Sequence, residues 1–272
     1  MICNYKIDYR KQIGNDADSL HNRRWAFCGV SRRRFRERWR NDGPAAVFPH
    51  AQRRERVAAR HPRAAVFDTP QEAIAGASVV IVATRPADVE AALAGLTFST
   101  DQVVVSVAAG VTLERLQRVV GGATAVRALP VACAAINKSP VLLMPDNAAA
   151  RNVLEQFGRV HALRTEDQFE AATALVGAFY AMMFPLMDHL AAWSATQGLD
   201  GAMARALVVE TIGGASAMAE HDRTVPFQDI WASLAVPGGI SERGMEEVER
   251  AGGLAAWSGA LDAVVRKLKS GL

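Results

Sequence analysis

The sequence predicts an α/β chain, in which a doubly wound parallel-sheet domain is followed by an all-helical one. Three observations carry this. Short apolar runs alternate with helical segments up to about residue 165. Two of those runs, Ser78 to Ala83 and Gln102 to Val107, are apolar almost throughout, as strands buried on both faces of a parallel sheet must be. Beyond Val160 the alternation stops. A capping box, Thr165-x-x-Gln168, then opens a long helical region.

The elements follow in order. Met1 to about Asn41 carries no sustained apolar period of either kind. From Gly43 the character changes. Ala45 to Phe48 is a short strand candidate, Gln52 to His61 a helix ending before Pro62, and Ala64 to Phe67 a second short strand. Pro70 to Ala75 is helical with Thr69 as N-cap. After the Ser78–Ala83 strand comes a helix over Pro86 to Leu96, and after the Gln102–Val107 strand a helix over Thr112 to Val120. Ala123 to Ala128 and Val141 to Met144 are further strands, and Ala148 to Phe157 a helix. The helical region divides into Asp167–Gln197, Gly201–Glu220, Pro226–Ser233, Ser241–Ala251 and Leu254–Leu268, with breaks at Gly198, His221, Pro237-Gly238-Gly239 and Gly252-Gly253. The expected domains are an atypical Arg-rich segment over 1–41, the sheet domain over 42–164 and the helical domain over 165–272.

At 272 residues, half of them hydrophobic, the chain can build two ordinary cores. A formal net charge of only +3 gives no global pull toward nucleic acid. The charge is uneven, because Arg23, Arg24, Arg32, Arg33, Arg34, Arg36, Arg38 and Arg40 crowd one early stretch. That stretch reads as a solvated basic tail, with Trp25, Phe35 and Trp39 leaving an RNA-binding arm open, although no nucleic-acid partner is expected. Cys3, Cys28 and Cys133 have neither paired nor metal-ligand spacing, so no metal is expected and a cytoplasmic setting is. The most apolar stretch, Ala171 to Met187, contains Thr173 and Pro185 and is slightly short for a membrane span; a helix buried in protein is the expectation, and no membrane partner.

Three motifs bear on chemistry. Val82-Ala83-Thr84-Arg85-Pro86 ends a strand, where ligands of open α/β sheets sit, and is equally an ordinary turn with Pro86 at the first helical position. Ser106 to Thr112 puts small residues after a buried strand, where a flat ring can approach the backbone, or simply makes a small-residue turn. Ala235-Val236-Pro237-Gly238-Gly239-Ile240-Ser241 offers free N–H groups at a helix start, which can hold a carboxylate. There Ser241 is either a hydroxyl donor to a ligand or the N-cap, with Glu242 complementing the helix dipole.

In this order the motifs resemble the pyrroline-5-carboxylate reductase family, over roughly Val57 to Leu272. Ala83-Thr84-Arg85-Pro86 stands for the family's Ala-Val-Lys-Pro, and Ala108-Ala109-Gly110-Val111-Thr112 matches its Ala-Ala-Gly-Val-Thr letter for letter. Glu210-Thr211-Ile212-Gly213-Gly214-Ala215 stands for Gln-Thr-x-x-Gly-Ala, and Val236 to Ser241 for Ser-Pro-Gly-Gly-Thr-Thr, followed by Gly244, Glu249 and Gly252-Gly253. The departures are chemical. Met-Pro-Asn becomes Leu129-Pro130-Val131, and Ser-Gly-Ser-Gly-Pro-Ala becomes Val176-Gly177-Ala178-Phe179-Tyr180-Ala181. Val236 and Ile240 replace hydroxyl residues, so the pocket is bulkier and less polar than the family pattern and another cyclic imine is open as substrate.

The resemblance implies a Rossmann-like sheet domain and a helical dimerisation domain that intertwines with its twin, Ala171 to Met187 forming dimer core and the active site lying at the domain junction. It implies a homodimer or higher homo-oligomer that reduces the C=N bond of a small cyclic imine with NADPH, NAD being the other candidate. Ala83, Thr84, Arg85, Pro86, Ala108, Ala109 and Gly110 would bracket the nicotinamide and its ribose. Pro237, Gly238, Gly239 and Ser241 would bind the substrate carboxylate, with Ser241 also the catalytic hydroxyl. Arg53 and Arg54 could meet a 2′-phosphate or line a solvated helix face.

One expected feature is missing. No Gly-x-Gly-x-x-Gly precedes Val79; Gly29 and Gly43 are isolated. If His21-Asn22-Arg23-Arg24-Trp25 is encoded CAY-AAY-CGN-CGN-TGG, a one-base shift gives AYA-AYC-GNC-GNT-GGG, which allows Ile-Thr-Gly-Ala-Gly. Residues 1–41 therefore read as an out-of-frame segment or as a genuine basic extension. A chain without that loop has a second reading, a non-catalytic dimeric paralogue that has lost cofactor binding.

Overall fold

The computed structural model describes residues 67–270 and the backbone of two short strands before them, β1 (Ala45–Ala46) and β2 (Ala65–Val66). These pair in parallel, Ala45 with Ala65 and Ala46 with Val66. The Arg-rich segment, the helix expected over Gln52 to His61, and Arg53 and Arg54 lie outside the described residues.

A five-stranded sheet follows, in the order β3 (Val79–Val82), β4 (Val103–Ser106), β5 (Thr124–Leu129), β6 (Ser139–Met144), β7 (Gly158–Ala162). Its helices are α1 (Pro70–Ile74), α2 (Val89–Leu93), α3 (Leu113–Val120) and α4 (Ala148–Leu154). The strands are apolar because both faces are covered. Val80, Val82 and Val104 pack with Val89, Leu93, Leu116 and Val120 on one face, and Val103 and Val105 pack with Ala150 and Leu154 on the other. Adjacent residues of β4 thus point into different cores, and all four are buried. Local caps set the helix starts. Thr69, Thr112 and Asn147 each accept a backbone N–H from the first turn, and Thr69 completes a capping box with Glu72.

The sheet departs from an all-parallel one at a single pairing, since β5 and β6 run antiparallel. The connection between them is only a short 3₁₀ turn, Ala132–Ile136. A parallel partner would need a crossover of a dozen residues or more, so a link this short returns the strand in the opposite sense. Strand β7, which no run of strand-forming residues announces, pairs in parallel at the sheet edge beside β6.

Two compact units result. The first contains the sheet, continues to Val176 and includes the chain from Val265 onward. Helix α5 (Glu166–Thr173) belongs to it, with Phe169 buried against Leu129, Leu142 and Met144. The end of α10 (Gly253–Lys269) returns to it, and Lys269 Nζ lies 2.7 Å from Asp167. That hydrogen bond, with the lysine's charge, holds the Asp167 carboxyl below its ordinary pKa.

The second unit, Gly177–Val264, contains α6 (Tyr180–Thr196), α7 (Gly201–His221), α8 (Phe227–Leu234), α9 (Ile240–Arg250) and most of α10. A π-helical segment, Ala174–Phe179, leads into α6. Helices α6 and α7 pack on each other, and the Phe179 and Trp257 rings meet edge to face at 5.6 Å. Yet Ala204 is the only residue of this unit that is buried. The expectation that Ala171 to Met187 is a buried helix therefore does not hold within one chain: no residue of α6 is buried, and Phe184 is 53% exposed. The helical run Glu166–Thr196 is long and apolar enough to cross a membrane, by length and composition. The apolar surface on both α6 and α7 needs a cover that one chain does not supply.

Candidate active site

The first unit gathers the loops expected to hold a nucleotide. Strands β3 and β4 are parallel neighbours, with Val82 opposite Ser106. Their carboxyl ends therefore lie side by side, and Ala83 to Pro86 leaves one while Ala108 to Gly110 leaves the other. Open α/β sheets bind ligands at this end. After β3, Arg85 precedes a 3₁₀ turn, Pro86–Asp88, with Pro86 at its first position. The Arg85 guanidinium makes a 2.7 Å pair with Asp88 on an exposed surface, where such a pair is worth little and can be exchanged for a phosphate or ribose. Behind it the Thr84 hydroxyl is buried without a hydrogen-bond partner. A buried orphan hydroxyl is costly and fits a polar ligand group that completes it.

After β4 the chain turns on small residues. Ser106 Oγ accepts from the Ala108 N–H at 3.4 Å, and Gly110 has φ +72°, where any side chain would be strained. Ala108 and Gly110 are buried and Ala109 half-buried, so this turn presents backbone and methyl groups only. It can accept a flat ring. Beyond it, Thr112 caps α3 through the Arg115 N–H. Both loops thus fit the nicotinamide end of a dinucleotide.

A buried ion network stands next to them, and the expected site residues did not include it. Arg127 on β5 is 1% exposed, bonds Glu166 and Glu170 (2.7 Å to the latter), and lies 4.1 Å from the Phe169 ring centroid. Glu166 also accepts the Leu113 N–H at 2.7 Å, at the start of α3. Burial lowers the Arg127 pKa, and Glu170 opposes that shift. Signals for it existed: an arginine in the apolar run Thr124–Leu129 needs buried partners, and Glu166 and Glu170 share one helix face.

The second unit carries the Pro237–Ser241 turn. Gly238 has φ +75° and Gly239 is the N-cap of α9. Ser241 is therefore the second residue of the helix, exposed, and not its cap, which removes the purely capping account of its hydroxyl. The Gly239 N–H donates to Val236 O at 2.9 Å, and the Gly238 N–H to Glu242 Oε2 at 2.6 Å. The Glu210–Ala215 motif lies within α7.

Two family models match the chain. A family model described as pyrroline-5-carboxylate reductase dimerisation matches residues 166–270, and one described as NADP oxidoreductase, coenzyme F420-dependent, matches residues 34–110. The pyrroline-5-carboxylate reductase of Mycobacterium leprae is 31% identical over 211 residues, covering 66% of this chain and 72% of that one.

The chain belongs to the pyrroline-5-carboxylate reductase family.

The Arabidopsis thaliana pyrroline-5-carboxylate reductase is 29% identical over 195 residues, covering 68% of this chain and 70% of its own length. The solved 1-pyrroline-5-carboxylate reductase of Streptococcus pyogenes superposes with a TM-score of 0.74 at 26% identity, covering 83% of this chain and 88% of that one. The dimerisation match spans α5 to α10 and accounts for a helical unit that lacks a core of its own.

Proposed function

We propose that this chain is an NAD(P)H-dependent reductase of a small cyclic imine, working as a homodimer or higher homo-oligomer in the cytoplasm. In this reading residues 42–164 bind the cofactor and residues 165–272 bind the substrate and the second copy. The observation that carries it is the pair of loops at the carboxyl ends of β3 and β4, one with the orphan Thr84 hydroxyl and the other free of side-chain bulk. When bound, NAD(P)H supplies a hydride to the carbon of a C=N bond. Thr84 completes its hydrogen bonding on the ribose. Ala108, Ala109 and Gly110 admit the ring to the backbone, with Ala83, Arg85 and Pro86 on its other side. Pro237, Gly238 and Gly239 shape the substrate turn, and Ser241 hydrogen-bonds the ring nitrogen as it changes from imine to amine. NADPH is the cofactor of choice, through Arg53 and Arg54 meeting a 2′-phosphate.

Ser241→Ala is expected to lower kcat/KM for imine reduction about tenfold or somewhat more, because a hydrogen bond to a charged group is worth about 1.5–3 kcal/mol. Nicotinamide absorbance reports the rate. Thermal unfolding should stay close to the parent's, since Gly239 and not Ser241 caps the helix. Equal rates in parent and variant would remove Ser241 from the reaction.

Cofactor affinity should be weak, because pyrophosphate binding relies on glycine-rich backbone at a helix N-terminus and no such motif precedes Val79. Titrating NADPH by fluorescence should give saturable binding weakened by about tenfold or more for each charge-assisted hydrogen bond missing. Tight binding would show that another part of the chain holds the pyrophosphate. No binding at all would favour the non-catalytic dimer.

A further inference from the structure

We propose that Glu166 is a positioning residue for hydride transfer, acting through the Leu113 N–H to fix the Ala108–Gly110 turn that receives the nicotinamide. The inference rests on the imine-reductase reading and adds to its cofactor end a residue outside every motif. Glu166 opens α5 and stands 53 residues from Leu113 in the chain, yet its Oε1 accepts the Leu113 N–H at 2.7 Å. That N–H is the first of α3, so the helix has no acceptor of its own for it. Thr112, the N-cap, takes the Arg115 N–H instead, at 3.2 Å. The carboxylate thus ties down the residue directly after Ala108–Thr112, and its charge suits the positive end of α3.

The other carboxylate oxygen is fixed as well. Glu166 Oε2 accepts from the buried Arg127 guanidinium, which Glu170 anchors in turn at 2.7 Å. A partly exposed carboxylate on its own would move among rotamers; a buried guanidinium holds it in one. A second, apolar link runs the same way. Ala109 and Leu113 pack against the cluster of Leu129, Leu142, Met144 and Phe169, and Arg127 lies over the Phe169 ring at 4.1 Å. Within the turn the Ser106 Oγ bond to the Ala108 N–H is long, at 3.4 Å, so these outside links set where the small residues stand. Hydride transfer is sensitive to that placement, since a misplacement of about 1 Å can cost about a hundredfold in rate.

The test uses the full chain with Glu166→Ala, Glu166→Gln and Asp167→Asn. The last removes the neighbouring first-turn charge of α5, which pairs with Lys269 and not with α3. Amide hydrogen exchange is read over residues 107–113 and over α4, with NADPH affinity by fluorescence and kcat and KM on pyrroline-5-carboxylate. Glu166→Ala should quicken exchange in the turn about tenfold or more and leave α4 unchanged. It should weaken NADPH binding and lower kcat, each about tenfold, with KM for the imine within about twofold of the parent's. Glu166→Gln, with one oxygen for two donors, should fall between, and Asp167→Asn should match the parent. Should the alanine variant not fold, the glutamine variant carries the same comparisons. Exchange unmoved in the turn, exchange quickened equally in α4, or an Asp167→Asn that reproduces the effect overturns the proposal. So does a parent that binds no NADPH, an NADPH affinity unmoved by the substitution, or an unmoved kcat in an active parent. If the parent binds NADPH yet reduces no imine, the reductase reading fails, and exchange and NADPH affinity alone still decide the role of Glu166.

Discussion

Phe184→Asp combined with Leu207→Asp is expected to convert the protein from a dimer to a monomer. Phe184 lies on α6 and Leu207 on α7, exposed to 53% and 46% in the single chain, and they sit among Leu190, Trp193, Met203 and Val209 on the same two helices. These helices pack on each other, yet only Ala204 of their unit is buried. A unit this apolar with so little core is half of a larger one, and the match of residues 166–270 to a dimerisation model points to a second copy as the other half. Burying a leucine or phenylalanine is worth about 1.5–3 kcal/mol. Two-fold symmetry places every substitution in the interface twice. With two substitutions in each copy, a loss of even about 1 kcal/mol per site then becomes about 4 kcal/mol per dimer, on the order of a thousandfold in Kd. Sedimentation velocity at micromolar concentration reads the change directly. A parent chain that runs as a soluble monomer at that concentration would sink the idea, and so would a double variant that remains a dimer.

Arg127→Met is expected to destabilise the first unit by about 3–5 kcal/mol, the usual cost of removing one member of a buried ion pair. Arg127 is 1% exposed and Glu170, its partner at 2.7 Å, has a side chain 7% exposed. Without the guanidinium the Glu170 carboxylate is left buried without its counter-ion. The loss reaches further than α5. Glu166 joins Arg127 to the Leu113 N–H, so the arginine also steadies the start of α3, where the Ala108–Gly110 turn ends. Urea denaturation should show a lower midpoint, and Arg127→Met combined with Glu170→Leu should recover most of it, because no charge is then buried. A single variant within about 1 kcal/mol of the parent would mean that water or a rearranged carboxylate screens Glu170. A double variant no better than the single one would mean that Arg127 acts through Phe169 and Glu166 instead.

Local chemistry made much of the first unit legible before any coordinates. Strands β3 and β4 are runs of valine and isoleucine, Ser106 apart, that only a doubly covered sheet buries, and Thr69 announces its helix by capping. The Ala83–Pro86 and Ala108–Gly110 loops follow those strands in the chain, so their place at the sheet's carboxyl end was implied by strand direction alone. The family itself was readable from motifs spread over both halves. Four things depended on the folded chain. Strand β7 was missed because it is a partly exposed edge strand carrying Arg159 and His161, without the apolar run of the inner strands. The reversal at β6 follows from a connection too short for a crossover, which strand composition does not express. The exposure of α6 in one chain could not be read from its apolar composition, because burial against the same chain and burial against a copy look alike in sequence. The Glu242 bond to the Gly238 N–H, at a glycine with φ +75°, is a contact of the folded turn that residue types alone do not specify. Composition, periodicity and capping are properties of neighbours along the chain, and they determined the elements and the family. Which donor meets which acceptor, and which apolar face lacks a cover, are properties of neighbours in space, and only the tertiary structure decided them.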